Sequence, residues 1–80
     1  MRLDKYLKVS RIVKRRTIAN ELCDAGKISV NGKVTKASYE VKEGDVLVLK
    51  LAGKEQKFKV LKILEHVPKD AAKDLFEVIT

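Results

Sequence analysis

Eighty residues suit one small domain, and a chain this short buries only roughly 60% of the surface its unfolded form exposes. Its 45% of hydrophobic residues can therefore build a core but not a deep catalytic pocket as well, and no enzyme activity is expected. The net charge of +7 belongs wholly to residues 1–36, where ten Lys/Arg face three acids, while residues 37–80 set eight lysines against eight acids; a single-sign field confined to one part of a protein attracts polyanions.

Leu3 and Leu7, four apart with Tyr6 and Ser10 adjoining, predict a short helix over residues 3–10, with Asp4 in its first turn where a carboxylate complements the helix dipole. Arg11-Ile12-Val13-Lys14 turns the chain and buries Ile12 and Val13 where two helices meet. A second helix is predicted over residues 15–25, with Ile18, Leu22 and Ala25 on its apolar face, Ala19 and Cys23 flanking them, and Thr17, Asn20, Glu21 and Asp24 on the polar side. Gly26 stops it, because glycine takes a left-handed conformation at least steric cost. Ile28 to Val34 alternates apolar and polar residues around Asn31-Gly32, the pair best able to hold positive φ at both centres of a type I′ turn, so a tight hairpin is expected.

Glu43-Gly44-Asp45 marks another turn before a strand over residues 46–51, and Ala52-Gly53-Lys54 reverses the chain into a strand over residues 57–64. Alternation fails after Val60, which predicts a bend or bulge there. Pro68 and Asp70 open a last short helix through Leu75, and residues 76–79 form a final strand. The class is α+β.

Four arginines, Arg2, Arg11, Arg15 and Arg16, fall within the first sixteen residues. Guanidinium forks match phosphate oxygens bidentately. Arg11, Lys14, Arg15 and Arg16 stand at the junction before the second helix, whose unpaired first amides also favour anions. A cation at a helix start opposes the dipole by a few tenths of a kcal/mol to about 1, a conflict that an anionic partner removes; the plain alternative is a solvated charged face. Asp4 suits a first-turn role, or the orientation of Arg2, Arg15 or Arg16. Tyr6, at helical spacing from Leu3 and Ser10, suits core packing better than base stacking. Lys27, Lys33 and Lys36 bracket the hairpin tip and extend the positive surface.

Cys23 and His66 are each alone, so no disulfide, metal site, cofactor or catalytic residue is expected, and the free thiol fits a reducing cytoplasm. The longest run without a charge, Ile28 to Gly32, is far too short for a membrane span. No secretory signal is visible, and no membrane partner is expected. A helix-turn-helix DNA-binding regulator shares the order helix, basic turn, helix, but the polar face of the second helix carries two acids and no cation.

Arg2-Leu3-Asp4-Lys5-Tyr6-Leu7, Arg15-Arg16-Thr17-Ile18-Ala19, Leu22, Gly26-Lys27-Ile28-Ser29-Val30-Asn31-Gly32 and Gly44-Asp45 together resemble the S-four RNA-binding domain over about residues 1–50. Lys69 to Glu77 is similar to the continuation found in stand-alone, ribosome-associated members of that family. The resemblance implies the alpha-L fold, with two N-terminal helices on a small, mainly antiparallel sheet, and residues 51–80 completing it as strand, short helix and strand. It implies a monomeric, cytoplasmic quality-control factor that binds large-subunit rRNA and peptidyl-tRNA on a stalled large ribosomal subunit, cooperating with RqcH during C-terminal alanine tailing. A general ribosome rescue, recycling or assembly factor is the alternative within the fold. The expected RNA contacts are Arg2, Arg11, Lys14, Arg15 and Arg16 on phosphates, Asp4 as orienting carboxylate, Lys5 on the family surface, and Lys27, Asn31, Lys33 and Lys36 along the hairpin.

Overall fold

The chain begins by pairing with its own middle. In the computed structural model, which describes residues 1–79, the Leu3 and Asp4 amides donate to the Tyr39 and Ala37 carbonyls at 2.7 and 3.2 Å, and the Val41 amide donates to the Met1 carbonyl at 2.9 Å. Helix α1 (Leu3–Val9) has no side-chain N-cap. These carbonyls satisfy donors that a helix start otherwise leaves open, and they place Arg2 opposite Glu40 in an isolated bridge.

Arg11, left-handed at φ 62°, turns the chain out of α1, and the Val13 amide folds back onto the Leu7 carbonyl at 3.0 Å. Val13 is buried as expected and Ile12 is half-buried. Helix α2 (Arg16–Asp24) follows, with Arg15 and Ala25 as its caps. It ends where Gly26 takes φ 73°. The Gly26 and Lys27 amides close on the Cys23 and Leu22 carbonyls at 3.0 and 2.9 Å, the double bond of a Schellman stop.

The buried face of α2 is Ala19 and Cys23, not the expected row of Ile18, Leu22 and Ala25; Ile18 is 42% exposed. Of the expected row, Leu22 is half-buried against the core while Ile18 and Ala25 are exposed, and the two smaller side chains line the fully buried face.

Strands β1 (Ile28–Val30), β2 (Lys33–Val34), β3 (Val46–Leu51), β4 (Lys54–Val60) and β5 (Phe76–Ile79) form one antiparallel sheet in the order β2-β1-β3-β4-β5. Asn31 and Gly32 take φ 52° and 88° between the paired residues Val30 and Lys33, as the hairpin signal required. Leu47, Leu49, Phe58 and Val60 point inward, while Val48, Lys57 and Lys59 take the other face, a period of two read directly from the strands. The expected strand over residues 57–64 is corrected at both ends. It starts at Lys54, because Ala52 and Gly53 form a tight turn, and it stops at Val60, where pairing with Phe76 ends.

The core joins Leu3, Tyr6 and Leu7 of α1 to Ala19, Cys23, Ile28, Val30, Leu47, Leu49, Phe58, Val60 and Leu75. Phe58 and Phe76 meet edge to face with ring centroids 5.3 Å apart. The last helix, Lys69–Leu75, is a 3-10 helix, whose threefold period puts Ala72 and Leu75 on one buried side. Its end is fastened to α1, because the Tyr6 hydroxyl donates to the Leu75 carbonyl at 2.8 Å.

Candidate nucleic-acid interface

Asp4 is the centre of the basic region and is only 3% exposed. One carboxylate oxygen accepts from the Lys5 amide at 2.8 Å and from Arg2 Nε at 3.3 Å. The other accepts from Asn20 Nδ2 at 3.3 Å and lies 3.4 Å from Arg16 Nε. Burial alone would raise this carboxyl, but the bonds from Asn20, Arg16 and the Lys5 amide, with the Arg16 charge, hold it below its ordinary value. Asp4 therefore stays ionised and fixes two arginines from two different helices. Both readings of Asp4 meet here, since it binds its own first turn and orients arginines.

Arg2 and Arg16 are each about half exposed. Arg16 meets the carboxylate through Nε, and Arg2 through Nε and one terminal nitrogen. A half-exposed ion pair is worth little to stability, commonly about 1 kcal/mol or less. Its effect is to hold two guanidinium forks in place before an anion arrives.

Arg2, Asn20 and Cys23 line a cleft of about 540 Å³ whose far wall is Val34, Lys36 and Ser38. It runs on into a second cleft of about 600 Å³ that includes Asn31, Lys33, Lys36 and Tyr39. In the other direction, Asn20 is shared with a hollow lined by Asp4, Arg16 and Thr17. The three clefts adjoin between the start of α2 and the hairpin tip. The pairing of residues 1–4 with 37–41 brings Arg2 and Lys36–Ser38 together there, and sequence reading had no signal for that pairing.

The hairpin end is braced as well. Asp45, 7% exposed, accepts from the Lys42 amide at 2.9 Å, the Tyr39 hydroxyl at 2.8 Å and Asn31 Nδ2 at 3.1 Å. Burial would raise its carboxyl, and these three bonds outweigh burial and hold it low. Asn31 also accepts from the Val46 amide at 3.0 Å, so its side chain fixes the hairpin to β3 as well as presenting its tip.

The other expected contacts divide. Lys14 and Arg15 are exposed in the turn before α2 and make no ion pair among the described residues. The first three amides of α2 are likewise without protein acceptors there, so free amides and cations converge as the junction suggested. Lys27 is exposed just after the Gly26 stop. Lys5 has its ammonium paired with Glu65 and lines none of these three clefts. Arg11 leaves the far end of α1 and lines other clefts, apart from the other expected contacts.

Tyr6 is fully buried, so it packs in the core and presents no stacking face. Cys23 borders the groove but its thiol is pushed up to about 11 by burial and by the charges of Asp4 and Asp24, which keeps it protonated and unreactive. Glu21 and Asp24 also line these clefts, and Asn20 is bonded to Asp4, so the exposed side of α2 sets two acids beside Arg16.

The model of the S4 domain matches residues 1–47. The chain is 51% identical over 78 residues to a protein of Halalkalibacterium halodurans named RQC P-site tRNA stabilizing factor, covering 98% of this chain and 89% of that one. A protein of Streptococcus pneumoniae with the same name is 45% identical over 80 residues, covering all of this chain and 91% of that one. The chain belongs to the S4 domain family, among the RQC P-site tRNA stabilizing factors. Heat Shock Protein 15 of Vibrio cholerae, solved as a trimer, superposes with a TM-score of 0.90 at 29% identity, over 99% of this chain and 81% of that one. The S4 match spans both helices, the first hairpin and the turn into β3, the segments that build the groove. It leaves β4, the 3-10 helix and β5 outside.

Proposed function

We propose that this protein is a non-catalytic RNA-binding factor of ribosome-associated quality control, which binds obstructed large ribosomal subunits and stabilises peptidyl-tRNA in the P site. The observation that carries this reading is the pair Arg2 and Arg16, both held by buried Asp4 at the mouth of a groove that Lys33 and Lys36 continue. Two oriented forks and a lysine-bordered channel suit a phosphate backbone. An electrostatic groove carries little base information, so specificity comes from RNA shape. The names of the relatives supply P-site tRNA and the quality-control setting; large-subunit rRNA as a further partner, cooperation with RqcH during alanine tailing and a cytoplasmic place of action complete the proposal.

Arg16→Ala is expected to abolish co-sedimentation with large subunits while leaving the thermal midpoint of the protein within about 4 °C, since an exposed surface change is usually within ±0.5 kcal/mol. Unchanged co-sedimentation rejects the groove. A general rescue or assembly factor would bind empty subunits as readily as those holding peptidyl-tRNA; preference for the latter separates the two roles.

A further inference from the structure

One cleft on the basic surface differs from its neighbours in chemistry. Asp24 lines the cleft beside Arg2, and Asp4 and Glu21 line the hollow beside Arg16. The cleft of about 600 Å³ at the hairpin has no carboxylate among its described lining residues. Lys33 and Lys36 line it, both exposed and without an ion pair among the described residues. Between these cations the cleft has two side chains with apolar surface, Val34 and Tyr39.

Tyr39 is the aromatic side chain that folding leaves to this surface. Tyr6 and Phe58 are buried, and Phe76 packs edge to face on Phe58. Tyr39 is half-buried; it packs against the core and also lines the cleft. It is fixed at three points. Its amide donates to the Lys36 carbonyl at 3.1 Å, its carbonyl accepts from the Leu3 amide at 2.7 Å, and its hydroxyl donates to Asp45 at 2.8 Å. With the hydroxyl occupied, the ring itself is what this residue offers a ligand, and a ring already fixed loses little freedom on binding. Val34, at 66%, is the most exposed large apolar side chain among the described residues. It stands on a two-residue strand at the sheet edge, where β propensity gives little reason to leave a branched side chain in water.

We infer that this cleft takes one unpaired nucleobase of the bound RNA, its face against Tyr39 and Val34, with the phosphates flanking that nucleotide on Lys33 and Lys36. The inference rests on the RNA-binding reading of the Arg2–Arg16 surface and adds what that surface recognises. Cations alone follow any row of phosphates. An apolar slot between cations favours a nucleotide turned out of its helix, which is a feature of RNA shape. The base is met by its face, so any of the four bases fits, and the discrimination is between a base present and a base absent.

The test uses the whole chain and three RNA hairpins of one sequence, carrying a single bulged adenosine, an abasic residue at the same place, or no bulge. Affinities come from titration, and the methyl spectrum of labelled protein reports on Val34. The bulged adenosine is expected to bind at least about fivefold tighter than the abasic hairpin, the low end for one stacked base. Only the adenosine should move the Val34 methyl signals upfield, through the ring current of the base. Tyr39→Phe keeps the ring and should keep the preference, whereas Tyr39→Leu should lose it. Val34→Ser, an exposed change that leaves the fold intact, should lose at least half of it. Lys33→Gln/Lys36→Gln should lower the salt slope by about one to two units with every hairpin.

Equal affinity for the bulged and abasic hairpins overturns the base site, and so does a preference that survives Tyr39→Leu. Loss of the preference in Tyr39→Phe as well overturns it in favour of a bracing role for the hydroxyl. Val34 shifts that grow with protein concentration alone overturn it in favour of a second copy in the cleft. Arg2→Gln/Arg16→Gln tests the parent reading separately: if it weakens binding to none of the hairpins, that reading fails, while a preference for the base still supports the cleft.

Discussion

Asp4 shows how much one buried carboxylate can organise. Asp4→Asn keeps the shape of the side chain and can still accept from the Lys5 amide, but it removes the charge that both arginines share. Pure electrostatics would expect better RNA binding from a chain with one more positive charge. We expect the reverse, a loss of three- to tenfold in affinity for large-subunit RNA, because the forks lose their common anchor; an unchanged or improved titration would show that orientation is unimportant. The pH response follows from the same group and from Asp45. Both carboxyls lie below their ordinary value in the folded protein, so their contribution is complete above the ordinary carboxylate range and is lost as pH falls through the folded values. The urea midpoint should therefore drop between about pH 5 and about pH 2, and Asp45→Asn should flatten that drop. Tyr6→Phe removes the clasp to Leu75. That carbonyl also accepts from the Leu61 and Lys62 amides at 2.8 and 3.1 Å and is not orphaned, so the cost should be about 0.5–1 kcal/mol by chemical denaturation. Much at this scale was legible in sequence. Arg2, Arg16 and Asp4 stand out by charge and by the family pattern, whereas the neighbours of Lys5 and Arg11 could not be read, because pairing with Glu65 and the clefts beside Arg11 depend on where residues 65–73 lie.

Among the elements, the turns were the most legible, because their backbone requirement is written in single residues. Asn31-Gly32 and Gly26 adopt the left-handed conformations their types permit. The β3–β4 hairpin uses the same geometry with a poorer residue, since Ala52 takes φ 50° before Gly53 at 77°. An alanine held there is strained, whereas asparagine tolerates the left-handed region. Ala52→Asn is expected to raise stability by about 0.5 kcal/mol in denaturant melts without changing RNA binding; a decrease would mean the turn is held for another reason. Helix faces were less legible. Ile18, Leu22 and Ala25 form a valid apolar row, but a nine-residue helix offers two plausible rows, and the one with smaller side chains packs inward. The end of β4 at Val60 was signalled as a fault in alternation, and the sequence could not distinguish a bulge from the end of pairing.

For the whole molecule, summing charge by sequence halves revealed the basic region and concealed part of it. Residues 37–80 balance to zero, yet folding separates their charges, placing Lys69 and Lys73 beside Arg11 and Glu77 beside Lys59. The sheet order β2-β1-β3-β4-β5 makes β3 the middle strand, so the segment matched by the S4 model ends on the strand that the rest of the chain needs for pairing. Exposed large apolar residues lie on α2, β2, β3 and β5 and, as Leu61 and Leu64, in the segment after β4; a monomer is the expected acting unit. Sedimentation equilibrium should return a mass of 9.0 kDa, and three times that value would place this chain with its trimeric structural neighbour instead.

The clasp between Tyr6 and Leu75 joins residues 69 positions apart, and it bears on how the protein is made. During synthesis the first helix leaves the exit tunnel long before the carbonyl that its tyrosine must reach. This contact therefore forms only after Leu75 has been made, as a late addition to the packing of α1 on α2 and the sheet.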